Sequence, residues 1–85
     1  MTNEKPREII TRVLPATKTL GVRIAARDTQ TGGKIEIPWP AGLEGREAHQ
    51  KVAMHLLEAL SGTHFRLGFD RETETQVVFV AWENV

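Results

Sequence analysis

The chain has no cysteine, a single serine, no net charge and no long apolar run, and each lack narrows what it can do. Without thiols there are no disulfides, no thiolate nucleophile and no cysteine-type zinc site. The one serine, Ser61, belongs to a helix end, and no set of nucleophile, base and orienting group can be assembled from the rest. The glycines form neither GxGxxG nor a phosphate-binding loop. No stretch approaches the ~20 apolar residues that span a bilayer. The opening MTNEKPRE has no apolar core and does not read as a signal peptide. These lacks lead to the expectation of a soluble, cytoplasmic, non-enzymatic protein without a cofactor or metal. Lys and Arg number 11, as do Asp and Glu. A protein that lives by phosphate contacts usually carries excess positive charge, so this balance weighs against nucleic acid, although one face of a neutral molecule can still be basic.

What is present is enough for one small core. The 85 residues are 40% hydrophobic, with regular periodicity and no internal repeat. Residues 1–7 are polar and read as a flexible N-terminal tail, and residues 8–85 as a single domain. Leu43 to Gly62 carries the only long helical period. With His49 at the centre of its apolar arc, Val52, Ala53, Leu56 and Leu60 share one face, while Glu47, Lys51, Met54 and Glu58 take the other. Gly62 suits the left-handed residue that ends a helix. The start is weaker, because Glu44 or Gly45 must serve as the cap.

The flanking segments alternate as strands do. Glu8 to Leu14 ends at Pro15, and Val22 to Asp28 leads into a Gly32-Gly33 hairpin loop from which Lys34 to Pro38 returns. His64 to Phe69 precedes a charged turn at Asp70 to Glu74. Thr75 to Trp82 is apolar at almost every position, which suggests a strand covered on both faces. The expectation is an α+β fold of two layers: a largely antiparallel five-stranded sheet (β-β-β-α-β-β) with one long helix packed on one face. Ile24, Ile35, Ile37, Leu67 and Phe69 should meet the helix stripe at Val52, Leu56 and Leu60. The strand order does not follow from the pattern.

His49 reads either as a general base or metal ligand or as a core imidazole, and the second reading fits its place in the arc. His55, six positions on, lies on another side of the helix, so the two cannot share a metal as an i, i+4 pair would. Asp28 and Asp70 sit at strand ends, where carboxylates serve local turns. Thr17-Lys18-Thr19-Leu20-Gly21 has the inventory to hold a phosphate, and also that of an ordinary turn.

The richer constellation is the sheet face turned from the helix. Alternation places Arg23, Arg27, Lys34, Glu36, His64 and Arg66 there, with Trp82 sharing the face and Trp39 on a nearby loop. Three readings stand: a solvated face neutralised by cross-strand pairs, a surface for a protein partner or a second copy (a homodimer), and a platform for single-stranded nucleic acid, on which bases stack and guanidinium groups track phosphates.

Thr17-Lys18-Thr19-Leu20-Gly21-Val22-Arg23-Ile24-Ala25-Ala26 resembles the T-N-T-x-G-x-R-I-x-A segment of small uncharacterised bacterial proteins of plasmids and integrated elements. Ile35 to Trp39 is similar to their short strand followed by Pro and an aromatic. Glu47-Ala48-His49 followed by Ala53 resembles their E-N-H-x-x-x-A helix. Lys18 and Ala48 stand where that pattern has Asn, and Gly45 where it has a capping Ser. The resemblance implies a compact α+β domain and a mobile-element setting, and carries over no catalytic residue.

Overall fold

The computed structural model describes residues 7–61 and 65–83, the side chains of Leu60, Ser61, Phe65 and Glu83 apart. Five strands and one helix follow in the order β1 (Arg7–Leu14), β2 (Arg23–Asp28), β3 (Lys34–Pro38), α1 (Gly45–Ser61), β4 (Phe65–Glu72) and β5 (Gln76–Glu83). They form one antiparallel sheet of order β3-β2-β1-β5-β4 with α1 on one face, the α+β architecture expected. The centre of the sheet is β1, which pairs with β2 on one side and with the last strand on the other. The registers make β3 and β4 run in the same direction at opposite edges, so the α1 connection carries the chain across the sheet from edge to edge.

Alternation decides what each strand gives the core. Ile9 of β1 lies opposite Phe79 of β5, Ala26 of β2 is flanked by Thr11 and Ile35, and Ile24 faces Ile37, all on the helix side. Ala48, Val52, Ala53, Leu56 and Leu57 of α1 close over them, and all are buried. Leu67, Trp39 and Met54 are packed at the margin of the same cluster. The helix lies chiefly over β2 and β1. Its footprint has a simple cause: a helix is ~10–12 Å wide, whereas five strands spaced ~4.8 Å apart extend for about 19 Å.

That footprint corrects one expectation. Phe69 points to the helix side but is 43% exposed, because β4 lies beyond the helix's width. It carries Arg46 of α1, whose guanidinium carbon is 3.7 Å from the ring centroid. Strand β4 is also longer than its alternation suggests. It runs to Glu72 through a bulge between Phe69 and Arg71, so most of the expected charged turn belongs to the strand. At the other terminus Arg7, grouped with the tail by composition, pairs with Ala81 in β1.

Gly45 is a second correction. As a substitute for a capping serine it weakens the helix start on paper. In the structure it has a φ of 55°, a left-handed backbone in which L side chains are strained, so the turn into α1 selects glycine.

The two threonine turns use one device. Leu20 and Gln76 each donate their backbone N–H to the hydroxyl three residues earlier, Thr17 and Thr73, at 3.1 Å. Each of those threonines in turn donates its own N–H to the carbonyl of the same partner at 2.8 Å. The phosphate-holding reading of Thr17 to Gly21 loses ground here, since the hydroxyl of Thr17 is engaged by the amides of its own loop.

Candidate functional site

Two places gather polar chemistry: the seam where α1 meets the sheet, and the sheet face that no helix covers.

At the seam His49 is buried, as its position in the apolar arc predicts. Its Nδ1 lies 2.7 Å from Thr11 Oγ1, and the Thr11 hydroxyl donates to the Val77 carbonyl at 2.9 Å. A hydroxyl has one proton. With it directed to Val77, Nδ1 carries the imidazole hydrogen and donates to Thr11. Trp39 meets the His49 ring edge-on with centroids 6.1 Å apart, and its own Nε1–H donates to the Leu43 carbonyl at 2.8 Å. The core-imidazole reading accounts for every one of these contacts. Among the described residues no three His, Asp or Glu side chains converge to hold a metal ion.

Burial lowers the His49 pKa from its ordinary value, partly opposed by the negative charge of Glu72. The unfolded chain, with an ordinary histidine pKa of ~6.5, therefore binds the proton more readily than the folded one. Stability from this group is complete above pH ~6.5, falls as the pH drops through it, and levels off below the folded pKa. Urea unfolding at pH 8 and pH 5.5 should show the lower midpoint in acid. His49→Gln should flatten that difference, while His55→Gln, at an exposed position, should preserve it.

Asp28 is, like Thr11 and His49, a buried polar residue of this layer, with no exposure at all. One carboxylate oxygen accepts the Gln30 N–H at 2.9 Å and the other the Thr31 hydroxyl at 3.0 Å, while Arg7 Nη1 approaches to 3.4 Å. The expected turn-forming role is met.

The helix-free face is built in cross-strand rows, since paired residues of adjacent strands point the same way. One row reads Lys34, Arg27, Ile10, Val78, Arg71 from β3 to β4. The next reads Glu36, Ala25, Arg12, Gln76. Over these two rows the sheet forms an open trough of about 330 Å³, with Ile10, Leu14 and Ala25 among its apolar lining and Arg12, Arg27 and Lys34 as its cations.

The residues singled out by alternation divide into three groups. Arg23, Arg27, Lys34, Arg66 and Trp82 do share this face. Arg23, however, is engaged: its Nη1 donates to Glu36 Oε1 at 2.6 Å. Arg66 and Trp82, directly opposite each other, pair as cation and ring at 5.4 Å. The indole lies across Gly68, where an added Cβ would come within 3.0 Å of Trp82 Cζ3, so this end is a packed arrangement of the edge hairpin. Trp39 is a correction: it lies on the helix side against the core and His49, because the chain crosses over after Pro38. His64 falls outside the described residues.

The position missed in sequence is Arg12. It stands between Ala25 and Gln76 in the middle of the trough, and only the pairing of β1 with both β2 and β5 puts it there. Arg12, Arg27 and Lys34 are all exposed, and none has a carboxylate partner among the described residues.

Comparison of the chain with protein-family models, with curated proteins and with solved structures gives no match. No residue role is imported from a relative.

Proposed function

We propose that this chain is a small non-enzymatic binding domain that acts through protein contact on its helix-free sheet face. The observation carrying this reading is the trough at the centre of that face, where aliphatic side chains and three cations without carboxylate partners among the described residues stand together. The polar groups buried on the other face have internal uses, His49 with Thr11 and Asp28 with its own turn, and they supply no substrate-facing pair. A second reading, single-stranded nucleic acid on the same face, draws support from those three cations. It is weakened by the engagement of Arg23 and by the turning of Trp39 to the helix side.

A photo-crosslinking residue at position 27, on the open face, should give a protein adduct in the native host, and one at exposed position 51 on the outer side of α1 should not. Adducts from position 51 alone, or from neither, would place the working surface elsewhere.

A further inference from the structure

We infer that the trough receives an acidic segment of a different protein, in extended form, with carboxylates against Arg12, Arg27 and Lys34 and apolar side chains on the floor between them. This rests on the reading of the open face as the working surface, and names the chemistry of its partner.

In the isolated chain the arrangement is costly. Lys34 and Arg27 are directly opposed across β2 and β3, and Arg27 is next in its row to Ile10. Like charges directly opposite on a sheet are destabilising, whereas an acid at either position would pair favourably. One carboxylate, Glu36, also lines the trough, and it is held by Arg23 one row away. A third cation, Arg12, lines the same trough. The fold thus retains three mutually repelling charges where it could have neutralised them, as sites do when a ligand completes them.

The lining of the trough selects the ligand. Besides its charged residues and Gln76 it holds Ile10, Leu14 and Ala25 and, among the described residues, no aromatic ring, so a base has nothing there to stack on. An extended peptide fits better, because residues i, i+2 and i+4 of a strand point the same way and can present acid, aliphatic and acid to the trough. A second copy of the chain fits worst. A two-fold contact through this face would set the patch against itself, bringing cations onto cations.

The test is an amide NMR titration of the full chain at low salt with three probes: a peptide of repeated Glu-Ser-Leu-Ser, which sets Glu and Leu in turn along one face of an extended strand, an oligo-dT strand of equal charge, and inorganic phosphate. The peptide should shift the amides of Ile10, Arg12, Ala25, Arg27 and Lys34, and Arg27→Glu with Lys34→Glu should weaken it at least tenfold, in line with the loss of ~1.4 kcal/mol or more. Lys34→Glu alone should raise Tm, because it turns a repulsion into a pair. Tighter binding of oligo-dT at the same amides would overturn the acidic partner and leave the face as the working surface. Peptide shifts confined to α1 or β4 would overturn both. No shift with any probe at millimolar concentration, or a dimer by sedimentation that the double variant abolishes, would overturn the acidic partner. A fall in Tm for Lys34→Glu would mark the cations as structural and would likewise overturn it.

Discussion

Replacing Phe79 with alanine should lower the unfolding free energy by about 3–5 kcal/mol, through lost transfer energy and the cavity left behind. Phe79 is 1% exposed and heads the fully buried side chains by volume. It lies between Ile9 on β1 and Phe69 on β4, where β1 and β5 are joined. Its ring meets that of Phe69 edge-on at 6.5 Å, and Phe69 in turn carries the Arg46 guanidinium. The cavity would open next to the half-exposed end of the sheet, so the β4 edge should loosen first. Urea unfolding measures the total, and amide exchange along β4 reads the loosening. A cost below ~1 kcal/mol would mean that the core does not run through β5.

The second large effect belongs to a polar residue. Asp28→Ala should cost about 3 kcal/mol, because it removes a buried carboxylate that accepts from the Gln30 N–H and the Thr31 hydroxyl and lies beside the Arg7 guanidinium. The carboxylate is fully buried while Arg7 keeps partial access to water, which holds the effect below that of a wholly buried pair. Asp28→Asn should cost less, since an amide oxygen still accepts from the turn. The loss should be nearly insensitive to added salt, because ions do not screen a buried contact well. A double-mutant cycle with Arg7→Ala separates the ion pair from the turn. If Asp28→Ala were neutral, the Asp28 to Gly33 hairpin would have to hold its geometry through backbone bonds alone.

These two residues also show where local reading succeeds. Asp28 before a Gly-rich loop, Ile24 and Ala26 alternating with Arg23 and Arg27, and the 3.6-residue period through His49 are all short-range patterns. They give the elements, the buried faces and the core place of His49, because side-chain direction in a strand or helix is set by the chain's own geometry. The shared face of Arg23, Arg27, Lys34 and Arg66 follows from the same alternation.

What the sequence by itself determined, then, is the set of elements and which side of each is apolar. What only the tertiary structure decided is who stands beside whom. That β1 sits at the centre, with the last strand against it, depends on pairings between residues some seventy positions apart, such as Arg7 with Ala81. No local pattern encodes such a pairing; it is chosen by burial of the whole sheet. From it follow the trough, the place of Arg12 within it and the opposition of Lys34 to Arg27. The exposure of Phe69 follows as well, since one helix is too narrow to cover five strands. Trp39 went to the other side for the same kind of reason: its loop begins the crossover that sets α1 on the sheet, and packing against His49 fixes its direction.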